Sequence, residues 1–219
     1  MKLRTVVALA AVSWGAAPAG AQSMDGTIDR AIAAWSHVKT VRGTFDQTVT
    51  NPLTGSSATA HGTYAQERPN RLAIRFLSSA DAIVADGRAV WVYLPSATPG
   101  QVIKRPATDR ASAALDLTGQ FLDAPRTKYD IAPAGTRAVD GHATHALTLV
   151  PRAAVGGPFT TATVWIDDDD SLIREFEETE RSGVVRHVHL TSVEPNVPID
   201  RSAFVFGLPA GVKVVDQSR

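Results

Sequence analysis

RPNRLAIRF at residues 68–76, followed by ADGRAVWVY at residues 85–93, is the stretch whose reading decides the fold. Leu72, Ile74 and Phe76 alternate with Ala73 and Arg75, a period of two that suits a strand with one apolar face. Asp86-Gly87 then stands between the apolar runs Ala82 to Ala85 and Ala89 to Leu94. An Asp-Gly pair in that position predicts a tight β-hairpin with a type I′ turn, which needs positive φ at both central residues. Trp91 and Tyr93 share one face of the second run, and Val90, Val92 and Leu94 the other. Both faces of that strand are therefore apolar, and the pattern leaves open which one turns inward. Arg68-Pro69 marks a strand end, and Pro69 biases Arg68 toward extended backbone. An arginine aimed from there into a sheet cavity can offer five fixed donors to carbonyls on a facing loop or helix, which makes Arg68 a latch candidate. From spacing alone, a surface arginine at a strand end is the plainer reading.

The alternation extends in both directions. Val41, Gly43, Phe45, Gln47 and Val49 fall on one side of a strand that ends at the turn Asn51-Pro52-Leu53-Thr54-Gly55, and Ala58 to Gln66 returns from it. Gln101 to Lys104 is a further short strand. Beyond Ala111 to Leu122, strands resume at Lys128 to Ile131, pass a second hairpin signal at Asp140-Gly141, and continue through Ala143 to Pro151, Thr160 to Ile166, Leu172 to Thr179 and Val184 to Val193. Ala203 to Phe206 reads as a last short strand before the tail Val212 to Val215. Two segments break the rhythm. Asp25 to His37 carries Ile28, Ile32 and Trp35 at helical spacing behind an N-cap aspartate, and Ala111 to Leu122 is proline-free and rich in helix formers. The sum is an antiparallel meander of about ten strands with one helix before it and one inserted. Short loops favour neighbour pairing, and a sheet that large twists and curls toward a barrel whose inner face must be filled.

Composition narrows the function. Lys2 and Arg4, the apolar run Thr5 to Ala17 and Ala19-Gly20-Ala21 have the form of a Sec signal peptide cleaved before Gln22, too short for a membrane span. The expected mature chain, residues 22–219, is long enough for one domain with its own core. It has no cysteine, which excludes disulfides and thiolate metal sites. Removing Lys2 and Arg4 from 22 basic residues leaves 20 against 22 acidic ones, so nothing points to nucleic acid. The six histidines are scattered; His187 and His189 share a strand face, but an isolated His-x-His on a polar strand is more often solvated than metallated. Asp167 to Asp170 lacks the glycine and distal glutamate of a calcium loop and reads as an acidic turn. No serine or histidine stands in a nucleophile pattern, and no glycine-rich phosphate loop is present. These patterns support neither a catalytic residue, a metal nor a cofactor.

Phe45-x-Gln47, Gly62, Arg68-Pro69-Asn70, Asp86-Gly87 and Trp91-x-Tyr93, in that order, resemble the LolA family of periplasmic lipoprotein carriers. So does the ending Asp200-x-x-x-Phe204-x-Phe206-x-x-Pro209-x-Gly211-Val212. The resemblance implies a mainly β, α+β fold: an incomplete antiparallel β-barrel of about 10–11 strands whose open side is closed by helices acting as a lid. It implies a monomeric periplasmic carrier, not an enzyme, that binds lipoprotein acyl chains. Such a carrier takes cargo from an inner-membrane lipoprotein-releasing ABC transporter and passes it to an outer-membrane lipoprotein acceptor. In that family the arginine matching Arg68 hydrogen-bonds the lid, and Leu72 takes a cavity-side position where an aromatic occurs in well-known members. The lid candidates are then Ile28, Ile32 and Trp35 from the first helix, with Leu115, Leu117 and Phe121 from the inserted one. The acyl-cavity candidates are Phe45, Leu72, Ile74, Phe76, Trp91 and Tyr93. Each reads also as ordinary core. A lipid or glycolipid transporter and a lipid-sensing envelope-stress regulator of the same fold are the alternatives. Regulators of that kind usually carry a further C-terminal domain, and the short tail after Phe206 argues against one.

Overall fold

The computed structural model describes residues 24–107, 116–153 and 157–217. The expected signal peptide and Leu115 lie outside the described residues, as does the first part, residues 111–115, of the Ala111 to Leu122 segment. The chain begins with α1 (Met24–Ser36) and then lays down β1 (Thr40–Asn51), β2 (Ser56–Glu67), β3 (Arg71–Phe76), β4 (Ala82–Asp86), β5 (Ala89–Tyr93) and β6 (Gln101–Pro106). Two short helices, α2 (Gly119–Leu122) and α3 (Pro125–Lys128), precede β7 (Tyr129–Val139), β8 (His142–Pro151), β9 (Phe159–Asp167), β10 (Ile173–Glu180) and β11 (Val185–Pro195). A 3-10 turn, Arg201–Phe204, leads to β12 (Lys213–Asp216).

All twelve strands belong to one sheet in the order β12-β6-β5-β4-β3-β2-β1-β11-β10-β9-β8-β7. Two meanders meet along a single seam, the antiparallel pair β1–β11. The sheet is open, because its end strands β7 and β12 do not pair with each other. One buried cluster nevertheless draws on α1, α2 and nearly every strand, including Ile28, Trp35, Phe45, Leu72, Val90, Phe121, Leu147, Phe159 and Phe176. A sheet this wide can bring those residues together only by wrapping its inner face around the helices.

Several sequence expectations change in detail. The strand count is twelve rather than ten or eleven, and β12 pairs with β6 in parallel. Residues 203–206 are not a strand: Asp200 accepts a hydrogen bond from Ser202 N at 2.8 Å and starts the 3-10 turn instead. β7 runs eight residues past Ile131 despite Pro133 and Gly135, because an edge strand tolerates proline and a bulge between Pro133 and Thr136 absorbs it. Asp140 and Gly141 have φ of 50° and 83°, the two positive values of the expected turn. At Asp86-Gly87 only the glycine is positive, and the hairpin closes through the Asp86 side chain. Its Oδ1 accepts from Arg88 N and Ala89 N, and its Oδ2 from Trp91 Nε1 at 3.1 Å.

Candidate functional site

Direct cross-strand partners lie on the same face of a sheet, so the pairings sort every strand residue into concave or convex. Val41, Gln66, Leu72, Ala85 and Val90 form one concave row. Gly43, Tyr64, Ile74, Ile83 and Val92 form the next, and Phe45, Gly62 and Phe76 the third. On this face Phe45, Leu72 and Ile74 are buried and Phe76 is half-buried, with its ring edge-on to Phe45 at 5.6 Å. Trp91 and Tyr93 are a correction. Trp91 pairs with Val84 and Tyr93 with Ala82, which puts both rings on the convex face. There they meet Phe206, at 5.5 and 5.9 Å between ring centres, in the C-terminal segment. The concave residues of that strand are Val90 and Val92. Arg75 holds the C-terminal segment down by donating to Ala203 O and Val205 O.

Two helical pieces cover part of the concave face. Ile28, Ala31 and Trp35 of α1 are buried in the shared cluster, and Ile32 is half-buried against it. Leu117 and Phe121 are buried too, with the Phe121 ring 5.0 Å from Phe176 and 5.8 Å from Phe159. Few polar contacts fasten these pieces to the sheet. Arg68, at the turn after β2, donates from Nη1 to Trp35 O at 2.9 Å and to Val38 O at 3.4 Å, and its guanidinium lies 5.4 Å from the Trp35 ring centre. A cation at the C-terminal end of α1 also meets the negative end of the helix dipole.

The second fastening was not anticipated. Gln66, on the concave face of β2, donates from Nε2 to Asp116 Oδ2 at 2.7 Å. Asp116 Oδ1 accepts from Thr118 N and Gly119 N, at 3.2 and 2.8 Å, and so closes the start of α2. A Cβ at position 119 would come within 2.0 Å of Asp116 Oδ2, so only glycine leaves room for this carboxylate. Burial pushes the Asp116 carboxyl above the usual carboxylate range; its hydrogen bonds and the nearby Arg68 charge pull the other way and lose. The folded state therefore keeps a proton that the unfolded chain has already released, and stability falls as pH rises from the ordinary carboxylate value to the raised one. Asp116→Asn keeps the acceptor for the two amides and removes the buried charge. We expect the variant to be more stable than the native chain at neutral pH and the difference to vanish near pH 4, which denaturant titrations at several pH values would measure.

Away from α1, the concave face holds a cavity of about 520 Å³ lined by Gln47, Val49, Ala58, Ala60, Phe76, Ile83, Leu94, Ala97 and Arg186, with Ser and Thr hydroxyls and Asp81 at its edge. A groove of about 420 Å³ lies on the convex side beneath the C-terminal segment, but the Arg42–Glu194 ion pair, Thr44, Thr63 and Ser192 line it. His187 and His189 face carboxylates rather than each other: His187 meets Glu175 and His189 meets Asp140. Among the described residues no cluster of three or more potential ligands could hold a metal ion.

The profile of the family described as "Outer membrane lipoprotein carrier protein LolA" matches residues 36–207. The chain belongs to the LolA family. It is 28% identical over 186 residues to the outer-membrane lipoprotein carrier protein of Leptothrix cholodnii, covering 83% of this chain and 81% of that one. It is 27% identical over 185 residues to the carrier of the same name from Proteus mirabilis, covering 82% and 83%. Among solved structures, an uncharacterized conserved protein from Thermus thermophilus shares the fold at a TM-score of 0.55 and 12% identity, covering 88% of this chain and 98% of that one. The LolA match begins at Ser36, the last residue of α1, and takes in β1 to β11, Arg68, Gln66 and Asp116.

Proposed function

We propose that the chain is a periplasmic carrier that encloses lipoprotein acyl chains against the concave face of its sheet and moves them from the inner to the outer membrane. The observation that supports this most is a largely apolar concave face, part capped by helices held through a handful of hydrogen bonds and part hollow. Each buried CH₂ contributes roughly 0.8 kcal/mol, so a chain of about sixteen carbons contributes on the order of 10 kcal/mol. Cargo of that kind cannot cross water bare, and a carrier that gripped it without a competing closed state could not let it go. Here the closed state has its own reward. Ile28, Trp35, Leu117 and Phe121 fill the concave face when it is empty, and Arg68 and Gln66 fasten them there. Cargo displaces these side chains and covers the same surface, so loading and closure compete on nearly equal terms. A cavity of about 520 Å³ is in the range of a single drug-sized ligand. A lipoprotein with up to three chains therefore requires α1 and α2 to move outward, which makes them a lid and Arg68 its latch. An inner-membrane ABC transporter would load this carrier and an outer-membrane acceptor would unload it.

Mature protein is expected to bind an environment-sensitive fatty-acid dye at micromolar concentration, and affinity capture from the periplasm is expected to recover acylated lipoproteins by mass spectrometry. Lack of dye binding would end every acyl-carrier reading. Recovery of free glycolipid without lipoprotein would replace this cargo with another of the same fold.

A further inference from the structure

Deep in the concave face lies a charged pair that a container for hydrocarbon does not need. Val49, Arg186, Glu178, Ala162, Leu149 and Ile131 lie side by side across six strands, and within this row only Arg186 and Glu178 are ionic. The Arg186 Nε donates to Glu178 Oε1 at 2.8 Å, and Nη2 donates to that same oxygen. The guanidinium lies 5.6 Å from the Phe176 ring centre. The Glu178 side chain is only 6% exposed, and its Oε2 is buried without a hydrogen-bond partner. Arg186 lines the cavity, is its sole lining cation among the described residues, and makes no hydrogen bond from Nη1 there.

A pair kept for stability would gain from being completed, or from being replaced by well-packed apolar residues. This one is half-satisfied on both sides: a carboxylate using one oxygen, and a fork with donors to spare at a cavity wall. Arginine's planar fork suits oxygen acceptors presented together, as in a carboxylate or an ester. Arg186 also sits opposite Val49, at the end of β1 remote from α1, so a head held there leaves the tail to run past Phe76 and Phe45 toward α1. Building on the acyl-carrier reading, we propose that Arg186 binds the carbonyl oxygens at the head of an acyl chain, with Glu178 as the internal competitor that holds it when the cavity is empty. The pair thus sets the direction in which a chain enters, head at the rim and tail beneath the lid.

The test uses mature protein carrying the uncharged dye N-phenyl-1-naphthylamine, displaced in turn by palmitate, methyl palmitate and 1-hexadecanol. Native protein should take palmitate about tenfold more tightly than the alcohol, the ratio expected of a charge-assisted hydrogen bond in a partly buried site. R186M should erase that preference while still binding the dye, and E178Q, which frees the guanidinium, should increase it. If R186M proves unstable, the double variant R186M/E178Q, which leaves no unpaired charge, takes its place. Loss of methyl palmitate binding along with palmitate assigns the site to ester heads, and loss of palmitate alone to free carboxylates; both support the proposal. Unchanged ligand ratios in a folded, dye-binding variant overturn it and leave the carrier reading standing. Failure of the native protein to bind any of the four overturns both.

Discussion

Arg68→Leu is expected to raise the fraction of molecules with α1 released by about tenfold. The substitution removes the two bonds to Trp35 O and Val38 O and the contact with the Trp35 ring. Hydrogen bonds to charged groups contribute about 1.5–3 kcal/mol, and the exposure of Arg68 argues for the lower end. About 1.5 kcal/mol corresponds to the stated tenfold change. Faster amide exchange along residues 24–36 and slower delivery of bound acyl cargo would register the effect together, because a lid that closes less readily competes less well for the concave face. Arg68→Lys should fall between native and leucine, since an ammonium keeps the charge at the helix end but lacks the planar fork. The leucine variant should also push the Asp116 carboxyl further up, because the Arg68 charge now partly offsets its burial. The effects of Arg68→Leu and Asp116→Asn should therefore not add, and the size of their coupling measures how far the two fastenings act as one. Exchange and delivery both matching the native protein would remove Arg68 from the mechanism.

Much of this arrangement is legible in the chain itself, and the rest has identifiable physical reasons for being hidden. The alternation through Leu72, Ile74 and Phe76 identifies a concave face because Arg75 and Arg71 occupy the other side. The same logic gives no answer for Ala89 to Tyr93, where both faces are apolar. There the decision rests on Phe206, more than a hundred residues away, which covers Trp91 and Tyr93 from outside. Gln66 and Arg186 were readable in principle. Each is a polar residue at an inward position, Gln66 after Gly62 and Tyr64, Arg186 before Val188 and Leu190. What the pattern could not supply is the partner. Asp116 lies in the inserted segment and Glu178 on another strand, and only the folded chain brings them within hydrogen-bond distance.

The largest stability effect should follow from adding a single methyl group at Gly43. Among the described residues the sheet's two meanders are strand-paired only along β1–β11, and the register of that seam shifts between Thr44 and Asp46, just past Gly43. A Cβ on Gly43 would stand 2.0 Å from Ser192 O, 2.9 Å from Ser192 C and 2.8 Å from the Tyr64 ring. The first two atoms are backbone of the partner strand. They can retreat only by weakening the seam, where Thr44 N also donates to Ser192 Oγ at 3.0 Å. The Tyr64 ring cannot yield cheaply either, since it lies over the glycine within the concave cluster. Phe45 covers Gly62 in the same way, so aromatic rings take up the space that each glycine leaves where the wall bends. Overpacking at a site with so little freedom should cost about 3 kcal/mol, near the top of the usual range. A domain of this size should then melt about 6–12 °C lower. Gly207→Ala is the control: nothing lies within 4 Å of a Cβ there and its φ is not positive, so it should be nearly silent. Because the concave wall is continuous across the seam, Gly43→Ala should also weaken binding of an uncharged apolar dye at temperatures where the variant is still folded. Equal melting temperatures for Gly43→Ala and Gly207→Ala would mean that the seam gives way freely and that the curvature of the wall is set elsewhere.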